Sequence, residues 1–448
     1  MNDKQLRKKY GKQYGYEVLF KNQPRKATGK AGVIIGELGM PEDYEPEFYI
    51  HFMEHVFNYT LPSFLVKLIL ADRGTGLIDP ENPLARQAFK PKQLIDANGS
   101  FTNHAGKPYV ACETRWVKAN KKNPWDHGYF LYKGDGPNGY PDVCDKVGAK
   151  VVGWYYGHLM PEKKVAWRSQ LRKVYDEAIA ELGQRFPGTE FRNVHYMDPA
   201  SIKKAVEELL AAGCETIVYQ NFNSAVYSDF EDFGHSLVKT HAYVAGRARV
   251  IMADQVGNHS PMREAYAQIL VDQLKGLSKD AGVLVILSRH GHPFKKETQD
   301  THAALYREPL MARIREVMST WQGKWEIVAS FDEYADEYWD PKHTRLETYA
   351  AYRKAIEAGF DYAIELPTEF TAENTDLMIF HAMKKFNAFS DYNHNDPIPY
   401  PDWEKPLVRM FHEGKTTGIY AGCPVGPYRK FVVQAVVDSI TQVLDNNS

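Results

Sequence analysis

Short apolar runs alternate with longer amphipathic stretches along most of the chain. The short runs are rich in β-branched side chains and end at glycine or turn residues, which is typical of buried parallel strands. They lie at residues 31–38, 149–156, 191–196, 214–220, 249–254, 282–287, 325–331 and 360–366. The longer stretches have helical periodicity and lie at residues 161–186, 198–212, 261–277, 301–320, 344–358, 373–386 and 428–444. This order predicts an α/β fold built on parallel sheets.

The alternation restarts after a break near residues 240–248. We therefore predict two Rossmann-like, doubly wound domains with parallel sheets and an interdomain cleft, which is the default place for a ligand. The predicted divisions are an N-terminal extension (1–30), a first domain (31–245) with a turn-rich insertion (72–147), a second domain (246–400), and a C-terminal segment (401–448) whose helix packs back on the body. Residues 388–416 are predicted to form an extended crossing segment.

The composition is that of an ordinary globular protein. The chain has 448 residues, 44% of them hydrophobic and 25% charged, with a formal net charge of −2. No basic block is interleaved with aromatic residues, which argues against a nucleic-acid partner. The four cysteines are far apart and form no Cys-x-x-Cys pair, so we expect a reducing compartment, the cytoplasm. The polar, basic start of the chain predicts no secretory signal.

Residues 48–71 are dense in aromatic, leucine and isoleucine side chains and are interrupted by Pro62. We favour a pair of core helices or the lip of an apolar pocket. The alternative is a patch that contacts a membrane surface. No apolar run reaches the roughly 18 residues that a spanning helix needs.

Two histidines follow the apolar strand predicted at residues 282–287. The sequence there is Ser288-Arg289-His290-Gly291-His292-Pro293. Ligands of open α/β sheets bind at the carboxyl ends of the strands, and imidazole is the commonest protein metal ligand. Residues i and i+2 of an extended loop point the same way, so both rings could reach one ligand. A structural role for both histidines is an equally good interpretation.

Two other strand ends bear candidate residues. Glu373 and Asp376 are three residues apart at a predicted helix start, where acidic residues also complement the helix dipole. If their strand lies beside the strand before His290, histidine and carboxylates could bind a divalent metal or pass protons. His195 and Tyr196 end a strand of the first half and are expected to face the cleft from the other side.

The sequence gives no support for a common cofactor-binding or hydrolase site. Gly134, Gly136 and Gly139 have the spacing G-x-G-x-x-G, but they lie in the turn-rich insertion with no predicted strand before them or helix after them, so they do not make a dinucleotide fingerprint. The sequence has no P-loop, G-x-S-x-G elbow or H-E-x-x-H motif. We therefore expect no organic cofactor.

Five sequence blocks, in order, resemble the ferrochelatases, two-domain class II chelatases that insert a divalent metal into a tetrapyrrole. The blocks are VIIGELGMP (33–41), HYMDP (195–199) with the helix and strand that follow, LSRHGHP (287–293), EYWDP (337–341) and PTEFTAENTDL (367–377). The resemblance covers about residues 31–388 and implies a tetrapyrrole as the small-molecule substrate. It implies a divalent metal as co-substrate, with Fe²⁺ the first choice and Co²⁺, Ni²⁺ or Zn²⁺ the alternatives. No run of cysteines follows Cys423, so no iron–sulfur cluster is expected.

The resemblance also implies roles for particular residues. His290 matches the family histidine that binds metal or accepts pyrrole protons, Asp376 falls on the catalytic glutamate, and Glu373 falls on a neighbouring aspartate. The implied catalytic residues are thus His290, Asp376 and Glu373, and the metal ligands are His290, His292 and Asp376. The implied substrate-binding residues are His195, Tyr196, Leu38, Met40, Trp339 and Phe370.

Three departures from the family pattern keep alternative functions open. Asn374 replaces a histidine, Asp376 is one methylene shorter than glutamate, and His292 stands where the family is usually apolar. His292 would then be a relocated metal ligand. The alternatives are a non-catalytic haem or tetrapyrrole carrier, and a chelatase-fold enzyme with a changed metal or the reverse reaction.

Overall fold

The computed structural model describes residues 26–37, 114–117, 129–132, 167–195, 199–221, 238, 248–289, 303–332, 335, 342, 344–374, 377, 385–386, 388–391 and 407–445. Its strands are β1 (Ala31–Glu37), β2 (Thr114–Val117), β3 (Tyr129–Tyr132), β4 (Glu190–His195), β5 (Thr216–Asn221), β6 (Arg249–Met252), β7 (Val283–Arg289), β8 (Trp325–Phe331), β9 (Tyr362–Pro367), β10 (Arg409–Glu413) and β11 (Thr416–Tyr420). Its α-helices are α1 (Trp167–Arg185), α2 (Pro199–Ala211), α3 (Ser260–Leu274), α4 (Glu308–Met318), α5 (Thr348–Glu357) and α6 (Arg429–Leu444). A 3₁₀ turn (Val256–Asn258) precedes α3, and a π-helical turn (Ala303–Arg307) precedes α4.

The first sheet has the strand order β4-β1-β5-β6, and all of its pairs are parallel. The central strand β1 is buried along its whole length. In its register, Glu37 pairs with His195 of β4, and Gly36 pairs with Asn221 of β5. The carboxyl ends of the three strands therefore meet at one edge of the sheet.

The second sheet has the order β10-β11-β9-β7-β8 and is parallel except for the β10–β11 pair. The prediction of an α/β fold with two mainly parallel sheets is confirmed. The extended crossing segment predicted for residues 388–416 is wrong at its end, because residues 409–420 form a hairpin that pairs with β9. Its turn contains Gly414 at φ 58°, a conformation that favours glycine. The second sheet thus continues past residue 400.

Helices cover both faces of β7, as expected for a doubly wound sheet. Val283, Val285 and Leu287 belong to a core cluster that includes buried side chains of α3, α4 and α6. Leu284 and Ile286 belong to a separate cluster with buried side chains of α5. This division follows from the two-residue period of a strand, whose successive side chains point to opposite faces.

Helix α6 packs against α1, α3 and β5. The Ala27 N–H donates a 2.9 Å hydrogen bond to the Val443 carbonyl near its end, and Arg429 Nε at its start donates one of 2.8 Å to Glu177. The cluster that contains α6 includes buried strand residues of both sheets, so this helix joins the packing of the two halves.

Helix α2 is bounded by residue types that are common at helix ends. Pro199 is the first residue of α2, and Gly213 beyond its end has φ 81°. The strands β2 and β3 form a two-stranded antiparallel sheet inside the predicted insertion. Within the described segments, no helix combines the length and apolar character needed to cross a membrane. Residues 48–71 lie outside them.

Candidate functional site

Strands β7 and β9 are parallel neighbours, with Ser288 paired to Pro367. The backbone N–H and hydroxyl of Thr368 both donate to the Ser288 carbonyl, at 2.8 and 2.9 Å. The segments that leave these strands therefore start side by side. One leads to His290, which follows Arg289 directly, and the other leads to Glu373.

The end of β8 is tied to the same place. The Asp332 N–H donates a 2.7 Å hydrogen bond to the Arg289 carbonyl. The Arg289 guanidinium lies 4.5 Å from the centre of the Phe331 ring and is buried. Three adjacent strands thus hold the residue that precedes His290.

A buried ionic cluster fills the α5 side of this edge. The Glu365 carboxylate accepts a 2.6 Å hydrogen bond from the Tyr352 hydroxyl and a 2.5 Å bond from the Ser288 hydroxyl. Lys385 Nζ donates to the same carboxylate and lies 3.5 Å from Asp332 Oδ2. Every side chain in the cluster is nearly inaccessible to water. Buried charges cost free energy unless they are paired and hydrogen-bonded. The side chains of this cluster must therefore keep these contacts for the sheet edge to be stable.

The charged groups of this cluster shift the pKa of both Glu365 and Lys385. Burial raises the pKa of Glu365, and although Lys385 opposes this shift, Asp332 adds to it. Burial alone would lower the pKa of Lys385, but Asp332 and Glu365 outweigh burial and raise it. Asp332 contributes to both shifts, because its negative charge favours a proton on Glu365 and on Lys385.

Glu373 lies in irregular backbone, where the start of a helix was predicted. That prediction is wrong at this residue, because the carboxylate is committed to another part of the chain. It accepts hydrogen bonds from the Tyr420 hydroxyl (2.8 Å) and the Cys423 N–H (2.7 Å). The helix-capping interpretation therefore does not hold for Glu373. Burial raises its pKa, and the two hydrogen bonds oppose that rise.

Glu373 and Glu365 belong to one buried network. Lys385 Nζ lies 5.1 Å from the centre of the Tyr420 ring, whose hydroxyl bonds Glu373. Sequence reasoning found Glu373 but missed Glu365, Lys385 and Asp332. A detectable signal was the acidic residue inside the otherwise apolar strand YAIELP.

The loop after β9 is held from the α3 side. The Tyr266 hydroxyl donates to the carbonyls of Pro367 (3.2 Å) and Phe370 (3.1 Å), and the Tyr306 hydroxyl donates to the Thr368 carbonyl. Phe370, which the resemblance assigned to the substrate pocket, is buried against Leu377 and Cys423.

Asn374 has a local structural role. It is buried, and its Oδ1 accepts a 3.0 Å hydrogen bond from the Leu377 N–H. The resemblance has a titratable histidine at this position.

The first sheet brings Glu37 and His195 together. Glu37 Oε1 lies 3.0 Å from His195 Nδ1, within ion-pair distance, but the two atoms do not meet in hydrogen-bond geometry. Glu37 is 1% exposed, whereas the side chain of His195 is 23% exposed. Sequence reasoning predicted His195 and missed Glu37, whose signal was an acid ending the apolar strand AGVIIGE.

Several predicted site residues lie outside the described part of the chain, namely His290, His292, Asp376, Leu38, Met40, Tyr196 and Trp339. Among the residues that are described, no group of three or more histidine, cysteine, aspartate or glutamate side chains converges as a metal site. The metal site of His290, His292 and Asp376 therefore stays a prediction.

No family model matches the chain. No curated protein matches it either. Among solved structures, SirB from Bacillus subtilis with Fe³⁺ is 11% identical at a TM-score of 0.38, over 61% of this chain and 89% of SirB. LsrB from Clostridium saccharobutylicum in complex with AI-2 is 9% identical at a TM-score of 0.23, over 44% of this chain and 59% of LsrB. AraP, an arabinose binding protein from Geobacillus stearothermophilus, is 14% identical at a TM-score of 0.24, over 45% of this chain and 62% of AraP. The chain spans less than two thirds of the length of LsrB and of AraP. Likeness at this level carries no argument about function, which must come from the residues themselves.

Proposed function

We propose that the protein is a chelatase that inserts a divalent metal, Fe²⁺ in the first instance, into a porphyrin-type tetrapyrrole bound between its two domains. The supporting observation is the parallel pairing of β7 with β9. The segments bearing His290 and Glu373 leave the sheet from adjacent strands at the same edge. Acidic side chains are buried at this edge, and the pKa of Glu373 is raised.

The reaction needs proton acceptors beside a metal-binding group, because a porphyrin loses two N–H protons while the cation loses its waters. In this proposal His290 accepts a pyrrole proton or contacts the metal, and His292 and Asp376 are further metal ligands. Glu373 receives protons and passes them outward. A raised carboxyl pKa suits this step, because a general base is most effective when its pKa lies near the operating pH.

Lys385, Glu365 and Asp332 would act as positioning residues. They connect the ends of β7, β8 and β9 through hydrogen bonds and ion pairs. A rigid sheet edge holds reacting groups at fixed separations, which is where much of the rate enhancement of an enzyme originates.

One observation favours a second candidate, a tetrapyrrole carrier without chemistry. The buried Asn374 amide caps the Leu377 N–H where the resemblance has a histidine, so this position supplies no titratable group. A carrier needs the pocket but not the proton path.

An anaerobic absorbance assay tests the proposal. Purified protein is mixed with protoporphyrin, coproporphyrin or sirohydrochlorin and with Fe²⁺, Co²⁺, Ni²⁺ or Zn²⁺, beside the His290→Ala variant. The control is His412→Ala, which removes an exposed histidine of β10 whose ring nitrogen bonds only Thr417 among the described contacts. We expect catalytic metalation by wild type and His412→Ala, and its loss in His290→Ala.

Stoichiometric spectral shifts without turnover for every pair would contradict the chelatase proposal and support the carrier. Turnover that His290→Ala retains in full would contradict the role proposed for His290. The metal and the macrocycle that react fastest would identify the substrates directly.

A further inference from the structure

Glu37 and His195 form a second polar centre, on the first sheet and apart from the proposed site on β7 and β9. We propose that this pair binds a divalent transition-metal ion, with water completing its coordination. The proposed chelatase reaction assigns no metal to this sheet. The two proposals therefore place a metal at different residues and can fail separately.

The geometry of the pair is the first argument. Glu37 Oε1 and His195 Nδ1 are 3.0 Å apart, yet neither has a hydrogen-bond partner among the described residues. A simple ion pair would direct the ring N–H at the carboxylate. Two donor atoms each about 2.1 Å from one ion, at the right angle of octahedral coordination, are about 3.0 Å apart. The observed spacing is thus that of two adjacent ligands of one cation.

The burial of Glu37 is the second argument. The side chain is almost inaccessible to water, and both carboxylate oxygens lack a hydrogen-bond partner in the part of the chain that is described. An unpaired buried carboxylate is costly and normally pairs with a cation or coordinates a metal. Its nearest partner among the described residues is the imidazole of His195, a side chain that commonly coordinates metals through a ring nitrogen.

Gln220 adds a further oxygen at the same edge. It pairs in register with Ile35, two residues before Glu37, so its side chain shares the sheet face of Glu37. Its Nε2 donates to the carbonyls of Asn221 (2.8 Å) and Asp254 (3.0 Å). The Oε1 is buried without a hydrogen-bond partner in the described segments, so the amide is held with its acceptor free.

The donor set indicates the kind of metal. One imidazole and one carboxylate suit Mn²⁺, Fe²⁺, Co²⁺, Ni²⁺ or Zn²⁺ better than Ca²⁺ or Mg²⁺, which prefer oxygen ligands only. Partial exposure of His195 leaves one side of the pair open to water, which can supply the remaining ligands.

Equilibrium dialysis of the full chain against Co²⁺, with metal analysis and visible absorbance of the bound ion, tests this site. The variants are Glu37→Gln and His195→Gln, with His290→Ala as the reference for the other site. The matched controls are His412→Gln and Glu357→Gln, at exposed positions on β10 and α5. We expect both site variants to lose one bound equivalent, or to bind it at least about tenfold more weakly. His290→Ala and the controls should keep it.

Unchanged stoichiometry and affinity in both site variants would overturn the proposal. So would a wild-type protein that binds no Co²⁺ beyond the equivalent removed by His290→Ala. If Glu37→Gln does not fold by circular dichroism, His195→Gln decides alone, because its partly exposed side chain tolerates substitution. Loss of turnover in His290→Ala with retention of this equivalent separates the two sites.

Discussion

The Tyr420 hydroxyl donates a 2.8 Å hydrogen bond to Glu373 Oε2, and both side chains are buried. This bond connects β11, the last strand of the second sheet, to the loop that follows β9. The sequence indicated Glu373 as a site residue, but it did not indicate Tyr420. The Tyr420 ring also lies against Lys385, so a substitution at Tyr420 should affect the whole buried network that contains Glu373 and Lys385.

Tyr420→Phe should raise the pKa of Glu373 further, because the hydroxyl bond lowers that pKa against the effect of burial. If Glu373 receives protons during metalation, the acid limb of the pH–rate profile should move to higher pH. The free energy of unfolding should fall by about 1–3 kcal/mol, the usual cost of leaving a buried acceptor unsatisfied. Tyr349→Phe, at an exposed tyrosine of α5, is the control. A lower stability with an unmoved pH profile would make the bond purely structural.

Lys385→Met should destabilise the fold by about 3–5 kcal/mol, because it removes the ammonium group that pairs with the buried carboxylates of Glu365 and Asp332. The control Lys354→Met removes a half-exposed ion pair with Glu326 and should cost less than about 1 kcal/mol. Denaturant unfolding measures both. Adding Glu365→Gln to Lys385→Met should recover part of the loss, and strictly additive effects of the two changes would argue against their coupling.

The fold was predictable because its signals are local. The run of residues 282–287 is apolar and β-branched, and β7 forms there. Gly213 and Gly359 follow helices and both have positive φ, as helix-ending glycines do. The second-sheet hairpin at residues 409–420 was missed because its strands are only five residues each and pair with β9 far back along the chain.

The site was predictable in part, for a different reason. Glu373 and His195 were found because each follows an apolar run that ends at a sheet edge. Lys385 was not found, because its importance comes from tertiary contacts with Glu365 and Asp332, 20 and 53 residues away. No local periodicity distinguishes such a lysine from one that faces solvent.

Glu373→Gln should change how stability depends on pH. The pKa of Glu373 is raised in the folded protein, so the native state binds its proton more tightly than the unfolded chain. Its contribution is fully present below the unfolded pKa of about 4.3 and is lost as pH rises through the folded pKa. The difference in free energy of unfolding between variant and wild type should therefore grow in favour of the variant from about pH 4 upward. Glu357→Gln, at an exposed position of α5, is the control. A pH-independent difference for Glu373→Gln would contradict the raised pKa.

Gly422→Ala should disturb the loop that bonds Glu373. Gly422 has φ 75°, and a Cβ there would lie 2.5 Å from the Leu407 carbonyl oxygen, which is backbone and cannot rotate away. Strain of a non-glycine residue in this region costs about 1–3 kcal/mol. Because the next residue, Cys423, donates its N–H to Glu373, relief of the clash should lengthen that bond and raise the pKa of Glu373. Gly276→Ala is the matched control, since a Cβ there meets nothing within 4 Å. Thermal unfolding should separate the two variants, and equal stability would mean that the Leu407 segment moves aside without cost.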